Sequence, residues 1–194
     1  FDEGGAYLIK GNLYTITARE KKTDNYIYIN YDNDTKRHVA FCQSKLANDY
    51  KFSIPTNVMI DSNNHIFVQV GFKKKEEPIP LNIFMRALGV TVDEEITEMI
   101  VYDTTDPILM PYIIPSLSYK VEFGEENSGP RIIQSEQEAQ DYIYEHILRT
   151  GSLDNEEVAR NKDKAIAHIL GQHFLPHLGH NFVGEGVKRL KARH

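Results

Sequence analysis

Pro80-Leu81-Asn82-Ile83-Phe84-Met85-Arg86-Ala87-Leu88-Gly89-Val90, with Asp93-Glu94-Glu95-Ile96 after two intervening residues, is where the chain changes its periodicity. Leu81, Phe84, Met85 and Leu88 fall at the i, i+3, i+4, i+7 spacing of one buried helical face. Gly89 stands just past the last apolar position, where a glycine can turn left-handed and leave the terminal carbonyls capped. Thr91 and Glu94 have the spacing of a capping box for a second helix. The residues therefore predict two helices joined by a tight break.

Upstream of this stretch the pattern is that of strands. β-branched and aromatic residues cluster between the turn signals Gly4-Gly5, Asp32-Asn33-Asp34 and Asp61-Ser62-Asn63-Asn64. Tyr14 to Ala18 alternates Thr and Ile, Tyr26 to Tyr31 alternates Tyr and Ile, and His65 to Val70 puts Ile66, Val68 and Val70 on one side of the pleat. Asp61 to Asn64 closes a hairpin on this reading, with arms Asn57–Ile60 and His65–Val70, because Asn and Asp tolerate the positive φ of tight turns. Downstream the helical period persists, interrupted between Pro107 and Pro115 and near Gly124–Gly129. Ser135 and Glu138 form a capping box ahead of a helix with an apolar face of Ala139, Tyr142, Ile143, His146 and Ile147, stopped by Gly151. A further helix from about Asn155 presents Ile166, Ile169 and Leu170, and Pro176 prevents its continuation. Strands followed by helices predict an α+β fold with a mostly antiparallel sheet. The expectation is a single domain over 1–194, with 1–79 mainly strands and 80–194 mainly helices.

A chain of 194 residues can bury about two-thirds of its unfolded surface, enough for a real core. No apolar run approaches the roughly 20 residues that span a bilayer, and the start lacks a basic-then-apolar signal segment, so a soluble protein is expected. Cys42 is the single cysteine, which excludes an internal disulfide and a cysteine metal cluster and suits a reducing intracellular compartment. Phe1 in place of a start methionine suggests a piece of a longer polypeptide. The formal charge of −6 argues against holding nucleic acid by bulk electrostatics. It is unevenly spread: the net is +1 over 1–80, −11 over 81–163 and +4 over 164–194. The central acidic block reads as a solvated or partner-facing helical surface.

Few residues point to bond-making chemistry. His168, His173, His177 and His180 suggest zinc, but Pro176 breaks the helix that would align His173 with His177, and no Glu follows His173 as a general base. The competing reading is that these imidazoles pack and hydrogen-bond at a helix C-terminus. Asp93-Glu94-Glu95 suits the first turn of a helix without any catalytic role. Asp32-Asn33-Asp34 opens like a calcium loop yet has Arg37 where the glycine should fall, and Gly4-Gly5 with Gly11 lacks the rest of a phosphate-binding loop. Cys42 reads as a small buried hydrophobe. No catalytic or metal site is assigned. The basic groups are Lys21-Lys22, Lys36-Arg37, Lys73-Lys74-Lys75 and the tail Lys188-Arg189, Lys191 and Arg193. Lys73–Lys75 stands in a loop that either reaches phosphates or, partly cancelled by Glu76 and Glu77, is simply solvated. Tyr26, Tyr28 and Tyr31 either stack on bases or pack on a neighbouring strand.

Several of these stretches together resemble a known family. The Pro80–Ile96 stretch is similar to "IPI…FRALG…D-x-EI" in the lobe domain of the second-largest subunit of multisubunit RNA polymerases, of eukaryotic, archaeal or large-DNA-virus type. Phe1-Asp2-Glu3-Gly4-Gly5-Ala6-Tyr7-Leu8-Ile9-Lys10-Gly11, followed by Ala18-Arg19-Glu20, resembles "D-x-GGYFIINGSEK" and "AQE". Gln134-Ser135, Glu138-Ala139 and Tyr142-Ile143 resemble "QSQEEALDYI", and Leu175-Pro176-His177-Leu178-Gly179 matches "LPHLG". Four motifs in the family's order cover nearly the whole chain. Where the family has "GSEK" this chain has Gly11-Asn12-Leu13-Tyr14, so a basic side chain is missing there. The divergence and the Asn/Asp-rich loops suggest a viral version.

The resemblance implies a non-catalytic lobe flanking the downstream DNA cleft of a DNA-directed RNA polymerase, inactive in isolation, with nucleotidyl transfer belonging to the parent enzyme. It implies no cofactor in this domain, since the polymerase's magnesium is held by an aspartate triad in the largest subunit. The implied partners are the largest subunit, the remaining domains of its own subunit, the DNA template and initiation factors, with no membrane. The implied location is intracellular: nuclear in a cellular eukaryote, cytoplasm or virion for a virus. Candidate nucleic-acid contacts are Lys21, Lys22, Lys73, Lys74, Lys75 and Arg86; Arg86 has the competing reading of an internal ion-pair partner for the acidic helix after it. A protein-interaction module using an acidic helical face, without nucleic-acid contact, is the alternative, and an independent histidine-metal hydrolase a third.

Overall fold

The computed structural model describes residues 5–33, 36–46, 53–71, 78–123, 129–150 and 160–178. The chain opens with a two-stranded antiparallel hairpin, β1 (Ala6–Ile9) and β2 (Asn12–Thr15). Its two-residue turn puts Lys10 at φ 51° and Gly11 at φ 80°, the double positive φ of a turn whose twist matches its strands. Leu8, Ile9, Leu13, Tyr14 and Ile16 on this hairpin are all exposed. The strand expected to run to Ala18 stops at Thr15, and residues 16–18 have no partner strand among the described residues.

A five-stranded antiparallel meander follows: β3 (Ile27–Asp32), β4 (Arg37–Ser44), β5 (Ile54–Ile60), β6 (Ile66–Val70) and the short β7 (Ile79–Pro80), in spatial order β3-β4-β5-β6-β7. The β5–β6 hairpin is built as its sequence suggests. Asp61 Oδ1 accepts the backbone N–H groups of Asn63 (2.9 Å) and His65 (2.8 Å), and Asn64 takes φ 62°. Ile60 pairs with Ile66, so Thr56, Val58 and Ile60 share a face with Val70, Val68 and Ile66 and turn it toward the helices.

The helical half comprises α1 (Leu81–Ala87), α2 (Asp93–Ile100), α3 (Met110–Leu117), α4 (Glu136–Thr150) and α5 (Lys162–His168), the last running into a π-turn at Ile169–His173 and a short 3-10 turn at Pro176–Leu178. The α+β architecture, antiparallel strands first and helices after, is therefore the observed one. Gly89 sits at φ 92°, with its N–H donating to the Arg86 carbonyl (2.9 Å) and the Val90 N–H to that of Met85 (3.1 Å), a Schellman cap. The capping box expected from Thr91 and Glu94 is absent: Val92 is the N-cap residue and supplies no side-chain hydrogen bond. The helix starts one residue later than Thr91 requires. Half of the second box forms, with Glu138 N–H donating to Ser135 Oγ (3.2 Å), while the Glu138 carboxylate pairs with Arg131 (3.2 Å). Gly151 and the segment from Asn155 lie outside the described residues, which resume at Arg160; Asn161 then caps α5 through Lys164 N–H (3.1 Å).

One core cluster joins both halves: Ile66 and Val68 of the sheet, Ile83 and Phe84 of α1, Ile143 of α4 and Leu170 after α5 are all members. Buried polar groups tie the layers. Asn82 Nδ2 donates to the carbonyls of Leu117 and Tyr119 (both 3.2 Å), and Ser116 Oγ accepts from Ile66 N–H (2.9 Å). The edge of the Phe84 ring meets Phe174, 4.7 Å between centroids, fastening the chain's last described turn to α1.

Candidate nucleic-acid interface

Lys21 and Lys22 lie in the extended segment that leads into β3. The Lys21 ammonium pairs with Asp24 at 2.9 Å, an exposed pair of little energetic weight. Lys22 Nζ lies 4.4 Å from the Phe41 ring centre and 5.3 Å from that of Tyr28, a cation held over two rings that stack 5.2 Å apart. Tyr28 and Phe41 are cross-strand partners, so the outer face of β3–β4 presents a cation on an aromatic platform. Tyr26 meets Tyr28 edge-on at 5.0 Å, whereas Tyr31 meets His38 on the opposite face of the sheet. Tyr28 also accepts Thr23 N–H through its hydroxyl (2.8 Å), which orients the ring. Lys73, Lys74 and Lys75 lie outside the described residues.

Arg86 is not on this surface. It is 2% exposed, its guanidinium donating to the Ile133 carbonyl and, at 2.5 Å, to the Asp93 carboxylate. The helix spacing explains this: Arg86 leaves the last turn of α1 and Asp93 opens α2, so the ion pair closes the break made by Gly89. Asp93 is half-exposed and occupies the helix's favourable N-terminal end together with Glu94 and Glu95.

The histidines are dispersed into structural contacts. His168 and His173 bring their Nε2 atoms to 3.2 Å across the π-turn, and His177 Nδ1 lies 2.6 Å from Ser44 Oγ, which also accepts His177 N–H (3.2 Å). Burial holds the His168 and His177 imidazoles below the ordinary histidine value, favouring their neutral forms. Ser44 is fully buried in β4, and no sequence signal marks it, since its partner is 133 residues away. His180 lies outside the described residues; among those described, no group of three or more His, Cys, Asp or Glu could hold a metal ion. Cys42 is buried in β4, which pushes its thiol up. Burial works to raise Asp61, but the N–H groups of His65 and Asn63 and the His65 ring outweigh it and hold the carboxyl below its ordinary range. No helix among the described residues is long and apolar enough to cross a membrane.

Comparison with known proteins supplies what this geometry does not. A family model described as RNA polymerase Rpb2, domain 2 matches residues 23–193. The chain is 25% identical, over 203 aligned positions, to DNA-directed RNA polymerase II subunit 2 of Arabidopsis thaliana, covering 99% of the chain and 15% of that relative. It is 28% identical over 180 positions to DNA-directed RNA polymerase subunit Rpo2 of Sulfolobus acidocaldarius, covering 92% and 14%. With DNA-directed RNA polymerase II subunit RPB2 of Encephalitozoon cuniculi the identity is 22% over 200 positions, covering 98% and 16%. The chain thus spans only about one-seventh of the length of these relatives. They are eukaryotic and archaeal, and they add nothing to a viral origin.

Proposed function

Because this chain belongs to the family described as RNA polymerase Rpb2, domain 2, we propose that it serves as the lobe of a multisubunit DNA-directed RNA polymerase, a non-catalytic wall flanking the DNA cleft. The observation that carries this reading is the match over residues 23–193, which spans both the sheet and the helices. The fold is compatible with it: Arg86, buried in the helical half, bonds within the domain, and Lys22 stands on an aromatic platform. In this proposal Lys21, Lys22 and the Lys73–Lys75 loop contact phosphates without reading sequence. Arg86 acts from inside, holding α1 and α2 in the shape that the wall requires. Nucleotidyl transfer and its magnesium belong to other parts of the enzyme, and the partners are its other subunits and the remaining domains of the same subunit.

A gel-shift of the chain with duplex DNA at low salt, followed by a salt titration, tests the phosphate contacts. Affinity should fall with ionic strength, and the slope of log K against log salt should shrink by about two in the Lys21→Ala, Lys22→Ala double variant. A flat salt dependence removes DNA contact from the proposal. One observation favours the second reading, a protein-interaction module: Glu94 and Glu98 are exposed on α2. Charge reversal at Glu94, Glu95 and Glu98 should then abolish capture of the other polymerase subunits, and the gel-shift of the parent chain should show no salt-dependent DNA binding.

A further inference from the structure

Beside α3 the sheet and the helices leave a groove of about 430 Å³ between the start of β4 and the β5–β6 turn on one side and the ends of α2 and α3 on the other. Its floor is aliphatic, made by Ile60, Ile66, Val101 and Ile113. Ile100, Leu109 and Tyr112 rise along the helical wall and are 40%, 45% and 38% exposed. Tyr102 and Ile108, next in sequence to the lining residues Val101 and Leu109, are exposed as well. Exposed apolar side chains gathered along a groove mark an interaction site in a folded protein.

The opposite wall has a different chemistry. Lys36 and Arg37, at the turn into β4, line it together with His38, and neither cation is engaged in an ion pair among the described residues. The one carboxylate on the lining among the described residues, Asp61, is turned into its own loop, where it accepts the N–H groups of Asn63 and His65 and pairs with the His65 ring. The groove therefore offers apolar depth along one wall and, along the other, two cations with no ion pair among the described residues. We propose that it docks a short protein segment in which bulky apolar residues are flanked by carboxylates, the apolar side chains over Ile100, Leu109 and Ile113 and the acids toward Lys36 and Arg37.

Charge complementarity selects this occupant. The volume suits a few side chains. Nucleic acid would also seek the cations, but an aliphatic floor offers it no platform on which to stack a base, unlike the Tyr28–Phe41 pair.

The test is fluorescence anisotropy on the 194-residue chain with a labelled peptide that alternates phenylalanine and leucine with aspartate. Control peptides carry lysine for aspartate, or serine for the apolar residues. Saturable binding of the acidic peptide alone is expected, weakened about tenfold by Lys36→Glu with Arg37→Glu, a loss typical of two rim charge contacts. Leu109→Asp, on the exposed helical wall, should weaken it comparably, and circular dichroism of both variants should match the parent. Amide shifts on adding peptide should cluster at Ile60–His65 and Leu109–Ile113. No saturable binding, equal binding of the lysine peptide, indifference to both variants, or displacement of the peptide by a single-stranded oligonucleotide would each overturn the proposal. Loss of the salt-dependent DNA shift in the Lys21→Ala, Lys22→Ala variant would leave it untouched, since neither lysine lines the groove.

Discussion

Burying an arginine is costly unless its guanidinium finds acceptors, and Arg86 finds two: the Ile133 carbonyl and the Asp93 carboxylate, with Nε left unpartnered. Breaking one arm strands the charge. Asp93→Ala should therefore lower stability by about 1–3 kcal/mol in urea unfolding, the smaller end reflecting the half-exposed aspartate. Replacing both partners removes the stranded charge, so the Arg86→Met, Asp93→Ala double variant should recover much of that loss. A double variant as unstable as the sum of its parts would show that the pair contributes nothing coupled. The arginine's type and place were legible in the sequence, and so was its reading as an internal ion-pair partner. Its depth was not, because the Ile133 carbonyl that completes the site arrives from a segment 47 residues away.

At the scale of elements, legibility followed the range of the forces. The Gly89 stop, the Asp61–Asn64 turn and the apolar face of α4 depend on neighbours within a few residues, and each formed as its residues suggested. Gly89→Ala tests the first. Its added methyl would meet only the Glu136 carboxylate at 3.8 Å, an ordinary contact, so the expected loss of about 1 kcal/mol in thermal or urea unfolding comes from the φ of 92°. A neutral substitution would mean that the break between α1 and α2 does not depend on the left-handed residue. The Thr91–Glu94 box failed by a shift in helix start, since Asp93 serves Arg86 at the position where the first turn begins. The Tyr14–Ala18 strand ends at Thr15 for a related reason: alternation announces a strand, but only a partner hydrogen-bonds it, and among the described residues none pairs with 16–18.

Across the whole molecule the sheet is wider than the helical layer that covers it. Ile29, Ala40, Val58 and Val68 are successive cross-strand partners and face the same way, yet Val68 is 3% exposed and Ile29 75%. Threonine should therefore have unequal consequences at the two ends of one row: Val68→Thr loses about 1–3 kcal/mol by burying a hydroxyl, while Ile29→Thr stays within about 0.5 kcal/mol. Equal losses by urea unfolding would indicate that β3 is covered in solution. Sequence by itself determined the order of strands and helices, the hairpin and helix stops, and the motifs that carry the family resemblance, because periodicity, glycine and short polar turns act locally. Tertiary structure alone decided which end of the sheet is buried, that Arg86 faces inward, that Ser44 receives His177, and that Lys36 and Arg37 border an apolar groove. Those outcomes depend on contacts between residues far apart in the chain, and no local pattern encodes which distant surface arrives to cover or complete a given side chain.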